Sequence, residues 1–185
     1  MFNEKVVVTR ILNGDMRAFE LLVKQYEKLV FHVIHRLVKE QQAAEDICQE
    51  VFIKVHKSLA RFNFQSKLST WIARITYLTA INYSRKYYRE KPSEYPEDLE
   101  SYHFTTDTPE YLLTKKDTAS YVERLILQLP EKYRTVLTLY HLDEFSGPEI
   151  EEITGMPEGT VKNYLFRARK LLKKKLEVYL KNEQP

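Results

Sequence analysis

The stretch FSGPEIEEITGMPEGTVKNYLFRARKLLKKK, residues 145–175, is punctuated as two helices with a turn between them. Ser146 stands three residues before Glu149, and Pro148 falls in the first turn, which is a helix-start signal. Ile150 and Ile153 give the first helix its buried side. Gly155 follows, where a residue free to take positive φ permits a tight turn. A second helix opens near Glu158-Gly159-Thr160. At 100° per residue Val161, Tyr164, Leu165, Ala168 and Leu172 share one face. Asn163, Phe166, Arg167 and Lys170 lie on the other, with Lys162 at its flank. Two helices joined by a glycine turn make a helix-turn-helix, whose second helix enters the major groove of DNA. Arg pairs bidentately with guanine and Asn with adenine. The remaining lysines neutralise phosphates. Phe166 points away from the apolar stripe, either toward a thymine methyl or against a neighbouring helix. A plain helical hairpin is the competing reading of the motif.

Outward from this motif the chain stays helical. It has 185 residues, with thirteen Tyr, nine Phe, one Trp and only four Gly, and no segment alternates strictly between apolar and polar. The expected fold is all-α, with two small helical domains. A short helix runs from Val6 to Leu12, and Gly14-Asp15 breaks it from a longer one beginning near Ala18. There Phe19, Leu22, Val23, Tyr26, Val30, Val33 and Leu37 recur at helical spacing. A third helix covers Ala43 to Leu59, with Ile47, Cys48, Val51, Phe52, Val55 and Leu59 on one face. A fourth spans Ser69 to Tyr88, with Ser69 a candidate cap and Leu68, Trp71, Ile72, Ile75 and Thr79 marking its buried side. Residues 92–110 carry three Pro and six acids without a Lys or Arg, and read as a flexible acidic linker. Periodicity resumes from Tyr111 to Leu129, and Pro130-Glu131 starts a helix reaching about Leu142. The domains are therefore 1–91 and 111–185.

Charge is distributed unevenly. Arg61 to Lys91 holds seven basic residues and one acid, and Lys162 to Lys175 seven basic residues and none. Between them, Pro92 to Thr160 holds fifteen acids and five bases. Two basic blocks, each tied to an amphipathic helix, suggest two contacts with a polyanion, against the alternative of solvated helix faces. The segment Arg61-Phe62-Asn63-Phe64, with Lys67 and the helix bearing Arg74, Tyr77, Arg85, Lys86, Tyr87 and Tyr88, combines aromatics with positive charge. That combination holds unstacked bases, at about 1–3 kcal/mol per base. Phe62 is read equally as core or as a base platform, and Trp71 as core. On the third helix Asp46, Gln49, Glu50, Ile53 and Lys57 lie opposite the apolar face. An exposed Ile53 among polar groups hints at a partner.

Other function classes find little support. There is no paired metal-ligand motif, phosphate loop or nucleophile elbow, so no enzyme, metal or cofactor is expected. His32 and His35 sit at helical spacing, but no nearby Cys or His completes a metal site. The single cysteine, Cys48, permits no internal disulfide and reads as a small core residue in a reducing, cytoplasmic setting. No run of about 20 apolar residues exists, so no membrane insertion is expected. An operator-binding regulator would also own a helix-turn-helix, but would bind DNA tightly alone and usually as a dimer.

The motifs together resemble the extracytoplasmic-function group of bacterial sigma-70 factors. Leu129-Pro130-Glu131-Lys132-Tyr133-Arg134, Gly159-Thr160-Val161-Lys162 and Phe166-Arg167-Ala168-Arg169 match the fourth region of that family. Asn13-Gly14-Asp15 with Ala18-Phe19, Ala44 to Phe52, Arg61-Phe62 and Ser69 to Ile75 match the second. The resemblance implies a monomeric factor that binds core RNA polymerase and carries it to promoter DNA. The first domain would open the minus-ten element and the second read the minus-thirty-five element, under control of an anti-sigma partner. It makes Asp46, Gln49, Glu50 and Ile53 the polymerase contact, and places Lys54, Ser58 and Phe62 near the flipped minus-ten base. It implies that the acidic linker threads polymerase channels. Two departures stand out: Leu78 replaces an Asn common in the base pocket, and Asn82 replaces a common acid. Promoter sequence therefore does not transfer from relatives.

Overall fold

The computed structural model describes residues 2–87 and 118–182, and among them every regular element is a helix. The N-terminal part holds α1 (Glu4–Leu12), α2 (Met16–His35), α3 (Gln41–Ser58), a single 3₁₀ turn (Leu59–Arg61) and α4 (Leu68–Tyr87). The C-terminal part holds α5 (Thr118–Gln128), α6 (Glu131–His141), α7 (Gly147–Thr154) and α8 (Glu158–Asn182). The acidic segment 92–110, Tyr88 and the start expected near Tyr111 lie outside the described residues.

Local signals account for most helix boundaries. Asp15 caps α2, its Oδ1 accepting from the backbone N–H groups of Arg17 and Ala18, while its Oδ2 pairs with Arg10 at 2.7 Å. The cap carboxylate starts the helix at Met16, two residues before the apolar pattern begins. Leu22, Tyr26, Val30, Val33 and Leu37 are buried as the periodicity predicts, with Phe19 and Val23 packed at the edge. In α3 the predicted face is buried, Cys48 included. Burial, and then the charge of Glu27, pushes the Cys48 thiol up to about 11.

α4 departs from expectation twice. Ser69 is not its cap: the helix begins at Leu68, and Lys67 O accepts the first helical bond, from Trp71 N–H. Nor is α4 buried on one side only. Thr70, Ala73, Thr76, Tyr77, Ala80 and Ile81 are buried as well as Leu68, Ile72 and Thr79. The reason is position. α4 packs against α2, α3 and also α7, so the N-terminal bundle and the helix-turn-helix meet on it. A helix enclosed on several sides loses the polar face of a surface helix. Thr76 and Thr79 tolerate burial by returning their hydroxyl protons to the carbonyls of Ile72 and Ile75, both at 2.8 Å. Trp71 is only partly buried, at the rim of the core.

Candidate nucleic-acid interface

The helix-turn-helix is built as its punctuation demands. Glu149 Oε2 accepts the Ser146 backbone N–H at 2.9 Å and the Ser146 hydroxyl at 2.7 Å, closing the start of α7. Gly155 takes φ 75° at the end of α7 and lets the chain turn into α8. Val161, Leu165, Ala168, Leu171 and Leu172 are buried, and Tyr164 packs its ring 4.5 Å from that of Tyr133 on α6. This fixes which side of α8 faces outward.

On that outer side Lys162, Asn163, Phe166, Arg167 and Lys170 are all exposed. Phe166 is 68% exposed, so the alternative that it packs on a neighbouring helix is not realised. Lys162 is held by Glu158 at 2.9 Å, one turn earlier. Arg169 turns away from this face, to His141 at 3.0 Å and over the Tyr140 ring. α8 also runs past Lys175, to Asn182.

The N-terminal candidates fall into two groups. Asp46, Gln49, Glu50, Ile53 and Lys57 form an exposed face of α3, with Ile53 54% exposed. Lys54 and Ser58 sit between that face and α4. Lys54 Nζ pairs with Glu50 at 2.7 Å and donates to Thr79 Oγ1 at 3.2 Å, and Ser58 donates to Lys54 O at 2.6 Å. Leu78, beside Thr79 in sequence, is exposed, as are Arg74 and Arg85. Tyr77 and Phe62 are buried. The Phe62 ring lies 4.7 Å from Phe64 and 5.2 Å from Trp71, and Phe64 adopts φ 58°. That left-handed region is sparsely used by bulky residues.

This aromatic group, of which Phe64 is exposed, borders α7. A cleft of about 250 Å³ runs between Arg61, Phe62 and Trp71 on one side and Glu152 of α7 on the other. Four further contacts hold the two halves together. Glu149 Oε1 accepts from Lys67 at 3.0 Å and from Thr70 Oγ1 at 3.2 Å. Arg74 donates to the Glu152 carbonyl. His32 of α2 lies 3.3 Å from Asp143, in the loop before α7. Burial works to raise the Glu149 pKa, but its bonds to Ser146, Lys67 and Thr70 outweigh it and bring the carboxyl to about 2. Sequence reasoning missed Thr70 and Asp143 entirely and read Glu149 as a cap alone. The acid-rich stretch from Asp143 to Glu158, without one Lys or Arg, was the available signal.

A surface helix-turn-helix with an exposed polar and aromatic reading face, set beside a second basic helix, defines a DNA-binding protein of two parts. Comparison narrows the class. Residues 22–90 match the family described as Sigma-70 region 2, and residues 119–172 that described as Sigma-70, region 4. The chain is 35% identical over 185 residues to the RNA polymerase sigma-H factor of Pseudomonas aeruginosa, covering 96% of each. It is 34% identical over 176 residues to the ECF RNA polymerase sigma factor SigW of Bacillus subtilis, covering 91% of this chain and 94% of that one. The sigma factor RpoE of Bartonella quintana, solved in complex with the anti-sigma factor NepR, shares the fold at a TM-score of 0.65 and 22% identity. That match covers 86% of this chain and 97% of the other. The chain belongs to the extracytoplasmic-function group of the sigma-70 family. Its function is promoter-specific transcription initiation with RNA polymerase. Among the described residues no helix is long and apolar enough to cross a membrane.

Proposed function

We propose a division of labour among three surfaces of this sigma factor. The outer face of α8 reads the minus-thirty-five duplex: Asn163 and Arg167 hydrogen-bond to base edges, Phe166 contacts a thymine methyl, and Lys162 and Lys170 neutralise phosphates. The observation that carries this reading is the exposure of Phe166 between Asn163 and Arg167, opposite a fully apolar stripe. Lys54, Ser58, Phe62, Arg74, Tyr77, Leu78 and Arg85 form the minus-ten surface. Phe62 and Tyr77 are buried, and Phe62 also lines the cleft facing Glu152 of α7, so holding bases with these rings needs their surroundings to open. Leu78 offers no hydrogen bond and favours an apolar base edge. Asp46, Gln49, Glu50 and Ile53 dock on core RNA polymerase, with Ile53 as the apolar anchor of a polar patch.

The domains act as 1–91 for polymerase binding and promoter opening and 111–185 for upstream positioning, joined by residues 92–110. Anti-sigma control, as in the NepR complex of the Bartonella relative, and a cytoplasmic location belong to the same reading. The reaction chemistry is left to the polymerase. Run-off transcription with core polymerase on a genomic DNA library tests the proposal. Specific transcripts that vanish with Ile53→Asp and with Arg167→Ala support it. Transcripts indifferent to both changes would overturn the assignment of surfaces.

A further inference from the structure

Glu149 uses its two oxygens differently. One closes the start of its own helix, and the other accepts two hydrogen bonds from the start of α4. The α4 donors are regularly spaced. Lys67, Thr70 and Arg74 stand three and four residues apart, so they line one face of the helix. Arg85 follows eleven residues on, three turns later and on the same face. All three of the first donors end on α7: two on the Glu149 carboxylate and one on the Glu152 carbonyl. Lys67 and Thr70 meet a carboxylate and Arg74 a backbone carbonyl, and an ammonium, a hydroxyl and a guanidinium in one row make the donor set that proteins use for a nucleic-acid backbone. α7 meets it with Glu149, Glu151 and Glu152 and no base.

We propose that Lys67, Thr70 and Arg74 form a phosphate-binding row for the opened promoter strand, and that acidic α7 fills the row in the closed chain in place of that phosphate. The inference rests on the reading of α4 as the DNA-facing helix. Closed, the molecule buries Thr70 and engages the polar ends of Lys67 and Arg74, although both of these side chains keep exposed surface. Strand phosphate and the Glu149 carboxylate compete for the same donors, so whatever draws the helix-turn-helix away uncovers a ready-made backbone site.

Glu149→Gln separates latch from cap. A glutamine at this position still accepts from Ser146 N–H, as capping boxes permit, but carries no charge for Lys67. Lys67→Ala removes the same ion pair and one donor of the row. Each full-length variant is first checked for unchanged helix content. Opening is then followed by X-ray scattering and by emission of Trp71, the one tryptophan of the chain, which lines the cleft facing Glu152. Binding is followed by anisotropy of a fluorescein-labelled single-stranded 20-mer of random sequence. Both variants are expected to expand and to red-shift Trp71. Glu149→Gln gains affinity about tenfold, the worth of one hydrogen bond to a charged group. Lys67→Ala gains none, and its log–log salt slope falls by about 0.7, one phosphate contact on a single strand. Equal gains in the two variants would make α7 a cover with no phosphate row beneath it, and overturn the proposal. So would an opened Glu149→Gln chain that binds no better, or one that stays closed. Promoter-directed run-off transcription by the Arg85→Ala holoenzyme tests the parent reading separately. If that variant is impaired while Glu149→Gln gains nothing, only the internal competition falls.

Discussion

Arg169 on α8 donates its Nε hydrogen to Nε2 of His141, at the end of α6, across 3.0 Å. The guanidinium also lies over the Tyr140 ring at 5.0 Å, so one side chain fastens α8 to α6 behind it. The bond requires neutral His141, because a protonated ring has no lone pair to offer. Burial, and then the Arg169 charge, lowers the His141 pKa below its ordinary 6.5. A lowered histidine favours the neutral form in the folded state. Its contribution is therefore present above pH 6.5 and is lost as pH falls through the lower folded value. Melting temperature should drop between pH 7.5 and 5 more in the native chain than in His141→Gln, whose amide oxygen can accept at any pH. Parallel curves would show that this bond plays no part in the acid response.

Asp143 gives the opposite sign. Its side chain is 3% exposed, and Oδ2 has no hydrogen-bond partner. Burial raises its pKa, against the opposing pull of His32 and Arg36. A raised carboxylate favours the protonated form in the fold. That contribution is complete below pH 3.8 and lost as pH rises through the folded pKa, so at neutral pH the ionised group weighs against folding. Asp143→Asn should melt higher than the native chain at pH 7, with the advantage shrinking toward pH 3.8. A lower melting temperature at pH 7 would mean that the contact with His32 outweighs the burial.

Gly155 occupies the left-handed region at the turn of the helix-turn-helix, and nothing lies within 4 Å of where a Cβ would stand. The cost of Gly155→Ala is thus conformational and not steric, about 1–2 kcal/mol. Chemical denaturation should show that loss with an unchanged m-value.

Phe166 reaches out from α8 with no packing role, so Phe166→Ala should change stability by less than about 0.5 kcal/mol. Transcription from promoters that depend on the upstream element should fall nonetheless. A strongly destabilised variant would reassign Phe166 to the fold.

The helix-turn-helix was legible because its signals are local. Ser146, Glu149 and Gly155 punctuate it, and the Val161-to-Leu172 stripe orients α8. The exposed face of α3 was legible for the same reason. What escaped depends on contacts between segments far apart in the chain. Thr70 meets Glu149 across 79 positions and His32 meets Asp143 across 111, and no periodicity reports such a pairing. Ser69 illustrates a subtler failure: a good capping residue went unused because Leu68, fully buried in the core, is drawn into the first turn. Phe62 was ambiguous in sequence and remains divided in space, buried among aromatic rings yet bordering the cleft beneath α7.

The contact of Glu149 with Lys67 also sets a quantitative hurdle. Residues 88–117 tie α4 covalently to the half of the chain that bears α7. A group carried on the same chain competes at an effective concentration of roughly millimolar. Any outside molecule competing for the same donors at micromolar concentration must then bind about a thousandfold more tightly than α7 does, or engage several surfaces at once. A partner that engaged a second surface as well would meet the second condition, whereas a molecule reaching the α4 donors alone would meet only the first, and only by binding that tightly. Connectivity alone thus sets the threshold that any competitor for these donors has to pass.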